Sequence, residues 1–178
     1  LSHHLLPATT ETAYREWQRR YYHDPVLFVQ DAFTWESGHG PFAYQVKALR
    51  AMVEGRHSVR SPHAIGKTAI AAWAVLWFGL TRDEWKDWKA VTTAGGWRQL
   101  EHYLWPEIHK WVRRLRWDVI GRPPMRRGDE LLDLALHLKT GEAFSVRSDN
   151  AQLIEGAHAD SLLYVFDEAK AIEAATFD

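Results

Sequence analysis

Hydrophobic and polar residues alternate along the chain in blocks whose spacing predicts several helices. The first is predicted over residues 10–20, where Tyr14 and Trp17 fall on one face. The pair Asp24 and Pro25 is typical of a helix start, because aspartate caps free N–H groups and proline suits the first turn. Another helix is predicted over residues 41–53, and the glycine at position 55 marks its end.

The remaining blocks predict strands between helices, which is the pattern of an α/β fold with a parallel sheet. Short strands are predicted at 57–59 and 89–94, and a hairpin over 134–147. An amphipathic helix is predicted from Trp97 to about residue 115. The last strand, 161–166, is continuously apolar, as expected of a parallel strand that is covered on both faces.

The most apolar block, residues 69–80, predicts a buried core helix. It is too short to span a bilayer, which requires about 20 residues, so no membrane contact is expected. This helix is preceded by a segment that reads Arg-Ser-Pro-His-Ala-Ile-Gly-Lys-Thr over 60–68. A strand, a turn, Gly-Lys-Thr and a helix in that order predict a phosphate-binding loop.

The chemistry of such a loop follows from backbone geometry. Successive N–H groups and the helix dipole favour an anion at the helix N-terminus. Lys67 would reach the β- and γ-phosphates of ATP, and the Thr68 hydroxyl would ligate Mg²⁺. The predicted nucleotide-binding residues of this segment are Ser61, His63, Ala64, Ile65, Gly66, Lys67 and Thr68.

Two features of the segment depart from the usual pattern of this loop. Ser61 stands where the first glycine is expected, and Pro62 lacks an N–H to offer a phosphate. The alternative interpretation is an ordinary strand-to-helix turn that happens to contain Gly-Lys-Thr.

Adjacent carboxylates follow the last predicted strand. Asp167 would hold Mg²⁺, and Glu168 would orient and deprotonate the attacking water, with Lys67 as the second catalytic residue. The alternative is a pair of acids that caps a helix. Together, the Gly-Lys-Thr segment and the acid pair predict a Mg-dependent ATPase. In this prediction Lys67, Asp167 and Glu168 converge around one metal-bound triphosphate at neighbouring strand tips.

Other residues are candidates for contacts around the nucleotide. Gln45 could pair with adenine, and Tyr44 or Phe42 could lie alongside the base. Arg98 and Gln99 stand at a strand-to-helix crossover, where parallel sheets place ligand contacts.

A basic run extends from 113 to 127. It could contact DNA phosphates or a neighbouring subunit's nucleotide, and a solvated loop is the alternative.

Composition narrows the class of protein without identifying it. The 178-residue chain has a formal net charge of −1, so overall charge indicates neither nucleic-acid nor membrane binding. The absence of cysteine excludes disulfides and thiolate metal sites and fits a reducing compartment. Ten tryptophans predict an aromatic-rich core or a partner surface.

Four segments resemble, in the same order, the large terminase subunit of tailed bacteriophages, the motor ATPase that packages DNA. The resemblance extends from about residue 42 to the end of the sequence. The segments are Tyr44-Gln45, His63-Ala64-Ile65-Gly66-Lys67-Thr68, Thr93-Ala94-Gly95-Gly96-Trp97-Arg98-Gln99, and Gly156-Ala157-His158-Ala159-Asp160 leading to Val165-Phe166-Asp167-Glu168-Ala169. Gly95 and Gly96 replace the Pro-Thr of the family, which weakens transfer of a DNA-contact role to that turn.

The resemblance implies a RecA-like P-loop ATPase domain of the additional-strand class over residues 41–178, preceded by a helical segment over 1–40. The domain would be incomplete on its C-terminal side, without the family's nuclease domain, so we expect weak or no ATP turnover from it alone. The implied ligands are ATP and Mg²⁺. The implied partners are double-stranded DNA, further copies of the chain in a ring, the small terminase subunit and the capsid portal.

The implied location is the cytoplasm of the bacterial host. An arginine from a neighbouring subunit would stabilise the transition state, and Arg98, Arg113 and Arg114 are candidates for that role or for DNA contacts. Two alternatives stay open: another nucleic-acid-dependent P-loop ATPase such as a helicase, and a nonhydrolytic nucleotide-gated module for DNA binding or assembly.

Overall fold

The computed structural model describes residues 10–55, 58–59, 66–148 and 157–168. These residues form a mixed α/β fold in which helices flank a four-stranded sheet. The helices are α1 (Thr10–Tyr21), α2 (Pro25–Ala32), α3 (Ala43–Met52), α4 (Lys67–Arg82), α5 (Trp97–Gln99), α6 (Trp105–Val112) and α7 (Trp117–Ile120). The strands are β1 (Trp88–Ala94), β2 (Ala135–His137), β3 (Gly141–Ser145) and β4 (Ser161–Asp167).

The sheet has the strand order β2-β3-β1-β4. Strand β1 pairs in parallel with both β3 and β4, while β2 and β3 form the predicted antiparallel hairpin. Sequence-distant strands therefore lie side by side, and their carboxyl ends share one edge of the sheet. That edge is where parallel α/β sheets place their ligands.

Helix α4 is the buried core helix that the sequence predicts. It is apolar on almost every face, and it packs against α1, α2, α3 and α6 as well as β1, β3 and β4. The buried Arg82 in its last turn lies over the Phe78 and Tyr22 rings, at 4.0 and 4.3 Å from their centroids. Burial lowers the pKa of this guanidinium to about 10. A cation beside the helix C-terminus complements the macrodipole, and the rings supply cation–π attraction.

The N-terminal helices belong to the same core as α4. The Asp24 carboxylate caps α2 by accepting a hydrogen bond from the Leu27 N–H at 2.8 Å, as predicted. Tyr14 and Gln18 of α1 both donate to the Leu80 carbonyl, at 2.8 and 2.9 Å. Because these bonds are buried, they fix the C-terminal end of α4 against α1. A domain boundary at residue 40 stays a prediction.

The helix predicted from Trp97 is confirmed, but it contains a feature that periodicity did not reveal. A π-helical turn, Leu100–Leu104, joins α5 to α6, and the Trp105 N–H donates to the Leu100 carbonyl. Trp105 is fully buried, and its indole N–H donates to Thr92 of β1 at 3.2 Å. The helix is therefore anchored on the sheet immediately after the π turn.

Three sequence-based expectations need correction. The strand predicted at 57–59 is wrong for its two described residues, since Ser58 and Val59 lie in no strand and Val59 is 42% exposed. Strand β4 lies at one edge of the described sheet, and six of its seven residues are half-buried rather than covered on both faces. The basic run is not uniformly solvated, because Arg122 pairs internally with Glu130 at 2.8 Å.

Within the part of the chain that the structure describes, no helix is both long enough and apolar enough to cross a membrane.

The contact between α4 and β1 generates the first prediction. A Cβ added at Gly79 would lie 2.8 Å from the fully buried Trp88 ring. Alanine is favoured over glycine in a helix by about 1 kcal/mol, but overpacking a rigid core costs about 1–3 kcal/mol. We therefore expect Gly79→Ala to lower the free energy of unfolding, measured by urea denaturation.

Trp88→Phe is the matched background for this test, because phenylalanine does not extend as far towards Gly79. In that background, Gly79→Ala should cost less or even stabilise the chain. An equal cost in both backgrounds would show that close packing on Trp88 is not the cause.

Candidate functional site

The register of β1 and β4 brings two predicted segments to the same edge of the sheet. Ala94, the last residue of β1, is the register partner of Asp167, the last residue of β4. The crossover at 95–99 and the acid pair therefore leave the sheet next to each other. Sequence spacing alone could not show this adjacency, because it depends on which strands pair.

Helix α4 begins near this edge with the Gly-Lys-Thr residues. Gly66 is its N-cap with φ +87°, and Lys67 and Thr68 form the start of the first turn. No acidic residue stands in that turn. The positive end of the helix dipole at the start of this long buried helix therefore favours an anion.

Lys67 lies beside the acid pair. Its Nζ is 3.8 Å from Glu168 Oε1, and both side chains are about two-thirds or more buried, with 25% and 35% exposure. Glu168 has φ +50°, which is uncommon for a residue with a side chain. Left-handed residues of this kind concentrate at functional sites, where surrounding structure holds them.

Asp167 is buried, with 8% exposure, and both carboxylate oxygens have donors. Oδ1 accepts from the Glu168 N–H at 3.1 Å, and Oδ2 accepts from Gln99 Nε2 at 3.4 Å. Burial raises the pKa of Asp167, and the neighbouring Glu168 charge acts in the same direction. The two hydrogen bonds and the Lys67 charge oppose that rise.

A third element, α3, contacts the start of α4. Gln45 is buried; its Oε1 accepts from the Phe42 N–H at 2.8 Å and its Nε2 donates to the Gly66 carbonyl at 3.3 Å. The amide therefore joins the α3 N-terminus to the N-cap of α4. Its predicted pairing with adenine stays a prediction, and it would have to coexist with these two contacts.

The aromatic residues beside Gln45 differ in exposure. The Phe42 and Tyr44 rings stack at 6.2 Å, and Phe42 is 68% exposed. The Tyr44 hydroxyl is buried and makes no hydrogen bond to any residue that the structure describes. It lies 3.3 Å from the position that a Cβ on Gly66 would occupy. An apolar ring face and a phenolic hydroxyl thus border the start of α4.

The remaining predicted residues are distributed as follows. Ser61, His63, Ala64 and Ile65 lie outside the described residues. Arg98 is exposed in α5, at the same edge of the sheet as the acid pair. Arg113 and Arg114 follow α6, and the Arg114 carbonyl accepts from the Thr34 N–H at 2.8 Å.

Because 97–112 is helical, the last two arginines are on the order of 24 Å from the crossover. The structure does not bring them to Lys67 within one chain. Their proposed action on a neighbouring subunit stays a prediction.

Two contacts at the site were not predicted. The first is the Gln99–Asp167 hydrogen bond, although Gln99 was singled out by its position at a crossover. The second is the bond from Gln45 to Gly66. Both depend on side-chain direction and strand pairing, which residue spacing does not specify.

The donor set suits a magnesium ion that is held mainly by phosphate. Among the described residues, no group of three or more His, Asp or Glu side chains is arranged to hold a metal ion. Mg²⁺ usually binds through one or two carboxylates, several waters and substrate phosphates. The buried Asp167 carboxylate and a hydroxyl on the first turn of α4 fit that mode of binding.

No protein-family model matches the chain, and no curated protein is similar enough to count as a match.

The contact at Gly66 generates the second prediction. A Cβ there would lie 2.9 Å from Gln45 Nε2, and the left-handed backbone itself disfavours alanine by about 1–2 kcal/mol. We expect Gly66→Ala to cost more unfolding free energy than Gly38→Ala, measured by urea denaturation. Gly38 is the matched control, since it has φ +78° and open space around a Cβ.

The excess cost should shrink in a Gln45→Ala background, because the clashing amide is removed. Additive effects of Gly66→Ala and Gln45→Ala would contradict a contact between the two positions.

Proposed function

We propose that this chain is a Mg-dependent ATP-hydrolysing motor domain with a P-loop fold of the RecA-like class. The observation that carries the proposal is the approach of Lys67 Nζ to Glu168 Oε1, 3.8 Å, at the start of a buried helix. A cation, a helix N-terminus and an acid pair in one place are what binding and hydrolysing a triphosphate require.

Each residue takes a role that suits its position. Lys67 and the positive end of the α4 dipole bind the β- and γ-phosphates. Thr68 and the buried Asp167 are the protein ligands for Mg²⁺, which supplies charge neutralisation at the phosphates when it is bound. Glu168 orients a water molecule and accepts its proton during attack on the γ-phosphorus.

Residues at the start of α3 bind the base of the nucleotide in this proposal. Tyr44 and the exposed Phe42 ring offer faces for a base, and Gln45 holds the Gly66 carbonyl. The predicted contacts of Ser61, His63, Ala64 and Ile65 with phosphate complete the binding loop in this proposal.

The motor role rests on the resemblance of four sequence segments to the terminase large subunit. In that role, hydrolysis drives double-stranded DNA into a procapsid, in a ring of copies assembled with the small terminase subunit and the portal. The site of action is the cytoplasm of a bacterial host. Arg98, which lies at the same edge of the sheet as the acid pair, is better placed than Arg113 or Arg114 to reach a nucleotide near its own chain's acids.

The third prediction separates binding from hydrolysis. Lys67→Ala should abolish binding of a fluorescent ATP analogue and ATP turnover, because it removes the cation at the phosphates. Glu168→Ala should preserve binding and reduce phosphate release by about 10²–10⁴-fold, the usual contribution of a positioned base. Binding is measured by fluorescence titration, and turnover by phosphate release from the full-length protein with and without duplex DNA.

The chain offers a matched control pair far from the acid pair. Glu84 also has a positive φ, +71°, and its Oε1 is 3.8 Å from Lys139 Nζ. Glu84→Ala and Lys139→Ala should leave binding and turnover unchanged.

Normal hydrolysis by Glu168→Ala would exclude that residue as the base. In the full-length protein, tight nucleotide binding without any phosphate release, even with DNA, would favour the nonhydrolytic module instead of the motor.

A further inference from the structure

Gln99 makes the side-chain hydrogen bond that holds one oxygen of Asp167. It is the last residue of α5, is half-buried, and donates through Nε2 to Asp167 Oδ2 at 3.4 Å. The other oxygen accepts from the Glu168 N–H at 3.1 Å. One carboxylate oxygen is therefore held by the backbone N–H of the next residue, and the other by a side chain from the β1–α5 crossover.

These two contacts leave the carboxylate able to accept a cation. Each carboxylate oxygen carries two lone pairs, so Oδ2 can accept from Gln99 and still face a ligand. The contact at 3.4 Å is long for an N–H···O bond, whose usual range ends near 3.2 Å. A contact of this length directs the carboxylate without occupying it fully.

The π-helical turn that follows Gln99 determines the direction in which α5 presents this side chain. The π-helical turn adds one residue to the helix, which rotates α5 by about 100° relative to α6. The buried Trp105 fixes α6 on β1. The extra residue therefore changes the orientation of α5, which contains Gln99, and not that of α6. Such single π turns occur frequently at functional sites.

We infer that Gln99 is a positioning residue that orients the Asp167 carboxylate for Mg²⁺, and this rests on the proposed function. In this role Gln99 acts through Asp167. Carboxylates that bind metals are commonly held by such hydrogen bonds, and loss of the partner costs about 10–100-fold in metal affinity or activity. The crossover from β1 thereby becomes part of the metal site.

If Gln99 has only a structural role, its substitution should have different effects on stability and nucleotide binding. A residue that only closes α5 would change the stability of the chain and would affect nucleotide binding equally with and without metal. A positioning role changes the metal dependence alone.

The test measures binding of a fluorescent ATP analogue to the whole chain as Mg²⁺ is varied, for the wild type and Gln99→Leu. We expect Gln99→Leu to raise the Mg²⁺ concentration at half-maximal binding by about 10–100-fold. Binding in EDTA should be unchanged, and so should the midpoint of urea denaturation. Gln30→Leu is the matched control, because Gln30 is exposed on α2, and it should behave as the wild type.

Gln99→Asn is the second variant if the leucine disturbs folding. It keeps the amide but is one methylene shorter, so it cannot reach Asp167 from the same backbone. It should show the same shift in Mg²⁺ dependence.

The outcomes distinguish this inference from the function on which it rests. An unchanged Mg²⁺ half-point in Gln99→Leu and Gln99→Asn, with Asp167→Asn shifted, would overturn the inference and leave the function standing. Equal losses of binding with Mg²⁺ and in EDTA would assign Gln99 a structural role and also overturn it. Wild-type binding that does not respond to Mg²⁺ would refute the proposed function, and the inference with it.

Discussion

The burial of α4 between the N-terminal helices and the sheet is the constraint on which the rest of the structure depends. An apolar helix with so little polar surface is stable only when neighbours cover it on nearly every side. Helices α1, α2, α3 and α6 and three strands provide that cover. Because Tyr14 and Gln18 hold one end of the helix and Gln45 contacts the other, its N-terminus is fixed in position. The anion-attracting end of the helix is therefore a consequence of core packing.

Parallel pairing of β1 with β4 supplies the second half of the site. A parallel sheet collects the carboxyl ends of its strands at one edge, so residues far apart in sequence meet there. Asp167 follows the hydrophobic residues of β4 and is buried at that edge, which raises its pKa. The site thus joins a buried carboxylate, which is expensive to ionise, to groups that favour the ionised form. Those groups are the Gln99 amide, the Glu168 N–H and the Lys67 ammonium.

Much of the fold could be predicted from sequence, for reasons that differ between elements. The apolar run of α4, the Asp24 cap of α2 and the hairpin of β2 and β3 are local signals, and all three are confirmed. Of the strand predicted at 57–59, the described residues Ser58 and Val59 lie in no strand, and only Val59 is apolar. A strand requires a partner, and sequence pattern does not reveal whether one is in reach.

The sequence predicted that Lys67 meets the acid pair, and the structure places Lys67 Nζ 3.8 Å from Glu168 Oε1. The strand order and the register that bring the crossover beside the acid pair were not predictable from residue spacing. The roles of Gln45 and Gln99 depend on rotamers and on a π-helical turn, which hydrophobic spacing does not encode. The positive φ of Glu168 is likewise invisible to a pattern of residue types, because glutamate rarely adopts it.

A crystal structure of the chain with Mn²⁺ and a nonhydrolysable ATP analogue tests the central claim most directly. We predict an anomalous Mn²⁺ peak in contact with Asp167 and Thr68. The terminal phosphate should contact Lys67, and the Glu168 carboxylate should face that phosphate. An analogue bound elsewhere, with Lys67 and Asp167 contacting neither phosphate nor metal, would contradict it.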